Sequence, residues 1–257
     1  MNIEAKKSFG QNFLINKEIQ KRIVSLAKIE NEDVIEIGPG LGAITNLMVS
    51  KVKSLKAYEL DNRLYEYLKD KKYNDNIEII NQDFLEANLF SENKKIVVGN
   101  IPYNITSLII FKLFDNMKYL SSATLMVQKE VAQRITSLPK NKSYSKLSVF
   151  CQMFANVKYG FDVKAKEFNP APKVDSAVIR IDFNKKDLDI LNNYEKLKDF
   201  IKLCFQFKRK TLYNNLISNY KKEKIVEAIE KLNLKPAVRS EEIEVLDFYK
   251  LFKLLEN

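Results

Sequence analysis

The 257-residue chain contains no histidine. That absence removes Ser-His-Asp triads, Cys-His pairs and histidine-ligated zinc at once. Any reaction run here must proceed without an imidazole. Cysteine is nearly absent as well. Cys151 and Cys204 lie in the apolar stretches SVFCQMF and IKLCFQF, with no second ligand nearby, and read as buried free thiols. No metal site is expected. Six glycines and six prolines are too few for long linkers or low-complexity segments. The N-terminal MNIEAKKSFGQNFL lacks the apolar centre of a secretory signal, and no run is long enough to cross a membrane. A reducing, cytoplasmic location is the expectation, with no membrane partner.

What is present is a globular composition, 46% hydrophobic and 30% charged, in a chain long enough for one main domain with an appendage. The net charge of +10 is unevenly placed. Residues 1–117 hold 16 basic and 16 acidic side chains, whereas residues 118–257 hold 27 and 17. A basic second half points to a polyanion, most simply a nucleic acid.

Apolar runs alternate with helix-period segments over the first 140 residues. Strands are predicted at Asp33–Ile37, Ser54–Leu60, Asn76–Ile80, Lys95–Gly99 and Ala123–Val127. Helices are predicted near Ala43–Val49, Asn62–Asp70, Ile105–Asn116 and Gln128–Ser137. Such alternation implies an α/β fold, a parallel sheet with helices on both faces and a ligand crevice at the carboxyl ends of the strands. Beyond Lys185 helical periodicity takes over, at Tyr194–Phe207, Thr211–Tyr220, Lys224–Leu232 and Val245–Leu255. The predicted domains are 1–186 and a small all-α domain, 187–257.

The residues with chemical potential follow the strands. EIGPGLG (Glu36–Gly42) joins the first strand to its helix, and glycines at 38, 40 and 42 let the backbone pass close to a ligand. The spacing differs from the G-x-G-x-x-G of dinucleotide sites, and the Lys-Ser/Thr of a phosphate loop is missing. Glu59, ending the second strand in YELD, can accept both hydroxyls of a ribose. Asp83, after the third strand in NQDF, can accept from an adenine amine. Singly, each acid also reads as a helix cap. In this order along one sheet they point to a nucleoside cofactor.

NIPY (Asn100–Tyr103) follows the fourth strand. The lone pair of an adenine amine is delocalised into its ring, so methyl transfer from a sulfonium requires that lone pair to be redirected, without a strong base. The Asn100 side-chain carbonyl and a backbone carbonyl of the Ile101–Pro102 pair can hold the two N–H bonds and stabilise the growing positive charge. Tyr103 offers a ring for the base to stack on. Extruding a base costs a few kcal/mol, so a second ring is expected, and Phe168 in EFNPAPK is the candidate.

These stretches resemble a known family. KKSFGQNFL (Lys6–Leu14), EIGPGLG, YELD, NQDF, GNIPYNITS, LMVQKEVAQRI (Leu125–Ile135), YSKLSVF, FNPAPKVDSAVIRI (Phe168–Ile181) and FKRKTLYNNL (Phe207–Leu216) occur in order over nearly the whole chain. Together they are similar to the KsgA/RsmA family of ribosomal RNA adenine dimethyltransferases, relatives of the Erm resistance methyltransferases. The resemblance implies a Rossmann-like methyltransferase domain, S-adenosyl-L-methionine as cofactor, and a helical C-terminal domain that helps to dock RNA. It also implies a monomer that dimethylates the 6-amino groups of two adjacent adenosines in a hairpin near the 3′ end of 16S rRNA, on the immature small ribosomal subunit. Carried over by matching motif, Asn12 and Leu14 cover the cofactor and Gly38 and Gly40 flank it. Glu59 binds the ribose, Asp83 the adenine, and Asn100 faces the transferred methyl. Tyr103 and Phe168 sandwich the target base. The basic run Lys208–Arg209–Lys210, with Lys6 and Lys7, suits phosphate contacts, which position RNA without reading its sequence.

Two alternatives stand beside this. Ile101 in NIPY occurs in Erm-like sequences, whose enzymes act on 23S rRNA and confer macrolide resistance, where KsgA-like ones more often have leucine, although FNPAPKVDSAV, FKRKTLYNNL and the loop before YSKLSVF look KsgA-like. A non-catalytic assembly or transcription factor on the same fold would be expected to have lost NIPY or the glycine turn, and both are intact.

Overall fold

The structure, a computed structural model, describes residues 3–6, 9–185 and 187–256. The chain divides into two compact units, Met1–Ala132 with Lys158–Asn184, and Gln133–Val157 with Lys185–Asn257.

The first unit is built on strands β1 (Phe13–Leu14), β2 (Asp33–Ile37), β3 (Ser54–Glu59), β4 (Ile77–Asn81), β5 (Lys95–Asn100), β6 (Leu120–Gln128), β7 (Asn156–Val163), β8 (Phe168–Asn169) and β9 (Ser176–Asp182). Its helices are α1 (Lys17–Ala27), α2 (Thr45–Met48), α3 (Asn62–Lys69) and α4 (Thr106–Asp115), and α5 (Lys129–Ile135) begins in it. Seven strands form one sheet in the order β4-β3-β2-β5-β6-β9-β7. From β2 the chain steps outward in parallel to β3 and β4, then returns to the other side of β2 for β5 and β6. This reversal makes β2 and β5 the neighbours between which a crevice opens beyond their carboxyl ends. The central strands are apolar on both faces, as a covered parallel sheet requires: Val34, Ile35 and Ile37 of β2 and Ile96, Val97 and Val98 of β5 are all buried.

The sheet is mixed rather than wholly parallel. β9 runs antiparallel to β6, from Ser122 opposite Asp182 to Gln128 opposite Ser176, and β7 follows it at the edge. Both strands lie outside the alternating stretch on which the parallel reading rested. α1, eleven residues long, precedes the first strand of the alternating stretch. Asn16 caps it, its side chain accepting from the Glu18 and Ile19 amides at 3.0 and 3.2 Å. Its buried stripe is Gln20, Ile23, Val24 and Ala27. The polar Gln20 masks the period, and it is satisfied by donating to the Leu14 carbonyl at 2.8 Å. Full burial of side chains such as Ile23 and Val24 contributes about 1.5–3 kcal/mol each.

The second unit contains α6 (Lys146–Phe154), α7 (Leu188–Asn192), α8 (Tyr194–Cys204), α9 (Leu212–Leu216), α10 (Lys222–Lys231) and α11 (Val245–Glu256). Residues 133–157 and 185–257 form this unit together. The reason is packing. On α6, Phe150 and Phe154 meet edge-on at 5.4 Å, and Phe154 meets Tyr194 of α8 edge-on at 4.7 Å. Tyr144 donates its hydroxyl to the Ile243 carbonyl at 2.9 Å. Both cysteines are buried free thiols whose pKa burial raises. The unit holds 20 basic and 12 acidic side chains, so it carries most of the excess charge. Among the described residues no helix is long and apolar enough to cross a membrane.

Candidate active site

A cavity of about 390 Å³ opens at the carboxyl ends of β2 to β5, within the range of small-molecule sites. Its wall gathers Asn12, Leu14, Gly38, Gly40, Glu59, Asp83, Asn100 and Tyr103. Residues spread over ninety positions of sequence thus meet in one place, because the switch point collects the loops that follow successive strands.

The glycine turn after β2 is shaped for close approach. Gly38 and Gly40 have φ of +63° and +59°, a region costly to residues with a Cβ. A Cβ on Gly40 would also stand 3.3 Å from the Phe13 ring. The Gly40 amide donates to Glu59 Oε2 at 3.0 Å and the Asp61 amide to Glu59 Oε1 at 2.9 Å. Each carboxylate oxygen is thereby oriented and keeps lone-pair capacity for a diol. Burial raises the Glu59 pKa, the two amides pull it back down, and the neighbouring Asp61 charge raises it again.

Beneath the turn, Glu36 is 2% exposed and accepts from Thr45 Oγ1 at 2.7 Å. Burial pushes its pKa up to about 8, against the Thr45 hydrogen bond and aided by the Glu59 charge. Asp83 Oδ1 caps the following turn, accepting from the Leu85 amide at 2.8 Å, and the residue lines the cavity.

At the end of β5, Asn100 donates Nδ2 to the Asn12 carbonyl at 3.1 Å. With the amide nitrogen so engaged, Oδ1 is the group left to accept. In the next residues the Pro102 carbonyl receives the Ile105 amide and Thr106 Oγ1, each at 3.3 Å. The Ile101 carbonyl is therefore the acceptor of the pair not used by the turn. Tyr103 lines the cavity and its hydroxyl shares a 2.5 Å hydrogen bond with the Ser176 hydroxyl, which fixes the ring plane. Nothing in the sequence pointed to Ser176 or to the Asn12 carbonyl. Both act across more than seventy residues.

Phe168 is placed otherwise than expected. It pairs with Leu14 across the β1–β8 ladder, is 3% exposed, and packs in the core with Ile23, Val24 and Val178. It does not line the cavity. As placed, its ring has no face open to a base, because the β8 backbone turns it inward beside α1.

Of the basic candidates, Lys6 sits 3.7 Å from Asp61 Oδ1 and 5.3 Å from the centroid of Phe9, a ring on the cavity wall. Lys7 lies outside the described residues. Lys208, Arg209 and Lys210 occupy an exposed turn between α8 and α9 in the second unit. Among the described residues no cluster of three metal-ligating side chains occurs.

Known proteins resemble this chain along its length. It is 51% identical to the ribosomal RNA small subunit methyltransferase A of Metamycoplasma arthritidis, over 100% of this chain and 98% of that protein. The protein of the same name from Mycoplasma mobile is 46% identical over 98% of each. A dimethyladenosine transferase from Plasmodium falciparum superposes with a TM-score of 0.82 at 29% identity, covering 93% of this chain and 95% of that one. The 23S rRNA methyltransferase ErmE superposes with a TM-score of 0.77 at 26% identity, covering 96% and 100%. Residues 2–257 match the family described as ribosomal RNA adenine dimethylase, and the chain belongs to that family.

Proposed function

We propose that the protein transfers methyl groups from S-adenosyl-L-methionine to the 6-amino groups of two adjacent adenosines near the 3′ end of small-subunit rRNA, as part of small-subunit assembly. The observation that carries this reading is the orientation of Asn100. Its Nδ2 is committed to the Asn12 carbonyl, so Oδ1, together with the Ile101 carbonyl, is available for the two hydrogens of a primary aromatic amine.

The residues present fit a nucleoside sulfonium cofactor. The positive-φ glycines leave room that a Cβ would fill, and Glu59 is a buried carboxylate held by two amides for a diol. When bound, the cofactor supplies an electrophilic methyl group. Glu59 would hold the ribose hydroxyls and Asp83 the adenine amine, with the backbone of Gly38 and Gly40 free of any Cβ beside them. Asn12 and Leu14, also on the cavity wall, would cover the cofactor. Tyr103, its ring plane fixed through Ser176, offers one face to the target base. Asn100 and Ile101 pull the amine hydrogens aside and turn the nitrogen lone pair toward the methyl. Their carbonyl dipoles stabilise the positive charge that grows on nitrogen. As the nitrogen–carbon bond forms the sulfur–carbon bond would break, and the extra proton on nitrogen, by then strongly acidic, passes to solvent. No group on the protein therefore has to act as a strong base, consistent with a chain that lacks histidine.

The first unit is the catalytic domain in this reading, and the basic second unit docks RNA, with the chain acting as a monomer in the cytoplasm. Replacing Lys208, Arg209 and Lys210 with alanine is expected to flatten the dependence of RNA affinity on salt, lowering the log–log slope by about 2 to 3. Filter binding from 50 to 300 mM salt measures it, and an unchanged slope would remove the run from the interface.

Labelled S-adenosyl-L-methionine supplied with unmethylated small subunits or with protein-free large-subunit rRNA tests the whole reading. Label in dimethyladenosine from small subunits alone is the expected result. Label in the large-subunit RNA would move the protein to the Erm side, whose solved relative is far less similar in sequence than the small-subunit enzymes. Tight binding of small subunits without any label would leave an assembly factor instead.

A further inference from the structure

The turn between α8 and α9 presents more than charge. Phe207 is 52% exposed and stands directly ahead of Lys208, Arg209 and Lys210. Its backbone is pinned from below by Asn215, a side chain only 2% exposed on α9. Asn215 Oδ1 accepts the Phe207 amide at 2.8 Å, and its Nδ2 donates to the Phe207 and Thr211 carbonyls at 3.4 and 3.3 Å. The Lys210 amide donates to the same Phe207 carbonyl at 3.0 Å. Both backbone groups of Phe207 are therefore held, and only two side-chain torsions remain to be ordered on binding, a small entropic cost.

Among the described residues the ring has no aromatic neighbour, and none of the three cations has an ion-pair partner. A buried amide spent on fixing an exposed apolar ring beside unpaired cations describes a surface built for a ligand with both a flat apolar face and negative charge. A nucleotide has both. Within a duplex the base faces are covered by their neighbours, whereas loops and bulges expose them. We propose that Phe207 stacks on an unpaired base of the RNA while Lys208, Arg209 and Lys210 hold the adjoining phosphates. Every base has a π-face, so the contact selects for an unpaired nucleotide and not for its identity. The proposal rests on the RNA-docking role of the basic run and adds to it a preference for RNA that is locally open.

Two RNAs separate these claims: a stem with an unpaired loop, and the same strand annealed to its full complement. Affinities are read by fluorescence anisotropy across a salt series. For Phe207→Leu the expected result is a loss of roughly 5- to 30-fold on the looped RNA, almost none on the duplex, and an unchanged salt slope, since stacking releases no counterions. Phe207→Tyr is expected to restore binding to within about twofold, because it keeps the ring. Equal loss on both RNAs, or no loss on either, would overturn the stacking contact. So would a loss on whole small subunits without one on looped RNA, which would put a protein against the ring. If the triple alanine variant left the slope unchanged, the docking reading itself would fail. A flattened slope with no effect of Phe207→Leu would remove the stacking alone.

Discussion

Replacing Asn100 with alanine lowers the single-turnover rate of methyl transfer by about 10²- to 10³-fold, the scale of removing one positioned dipole from a site of developing charge. RNA affinity stays within about twofold. The asymmetry follows from geometry. Asn100 sits at the end of a central strand, its nitrogen tied to the Asn12 carbonyl, so its oxygen is held in place before any substrate arrives. A preoriented acceptor of this kind matters most when positive charge appears on the attacking nitrogen, and little while the base is neutral. In the proposed reading, affinity for RNA draws instead on the cations of the second unit. Rapid-quench kinetics with labelled cofactor, run beside anisotropy titrations, measure both quantities. A parallel fall in rate and affinity would mean that Asn100 holds the NIPY turn together and does not act on the amine.

The second large effect concerns stability and pH. Glu36 is fully enclosed beneath the glycine turn, and burial pushes its pKa from 4.5 up to about 8. Between those values the folded protein holds a proton that the unfolded chain has released, so stability falls as pH rises through that window and levels off above it. Glu59, also raised, contributes with the same sign. The lowered carboxylates Asp33, Asp61, Asp162, Asp175, Asp189 and Glu227 act in the opposite direction, at pH values below their ordinary range and so outside the window. In most proteins histidine would dominate between pH 5 and 8, and here there is none. Glu36→Gln keeps an acceptor for Thr45 Oγ1 and removes the titration. It is expected to flatten the decline in unfolding free energy between pH 5 and pH 8.5 by up to roughly 4 kcal/mol. Urea midpoints at three pH values for the two proteins decide it. Parallel profiles would show that Glu36 carries no extra proton in the folded state.

Much of the first unit can be read from short stretches of sequence. EIGPGLG announces a turn because glycine alone adopts its positive φ cheaply, and YELD, NQDF and NIPY are recognisable because each follows an apolar run with strand character. The structure puts Gly38, Gly40, Glu59, Asp83 and Asn100 on one wall for a general reason: loops after parallel strands converge on a switch point whatever their detailed conformation. β7 and β9 were less legible. SAVIRID has strand character, but its antiparallel pairing with β6 depends on which edge remains open once five parallel strands have assembled.

The sequence by itself determined the alternation of strands and helices, the absence of imidazole and zinc–histidine chemistry, and the residue types that the proposed function sets against an aromatic amine. These are properties of local period and composition. Tertiary structure alone decided which partners those residues meet. It turned Phe168 into the core, drew residues 133–157 to the C-terminal helices, and aimed Asn100 and Tyr103 through Asn12 and Ser176. The physical reason is that a side chain's direction and burial depend on surfaces supplied by segments from 40 to 154 residues away, and such surfaces exist only once the chain has closed on itself.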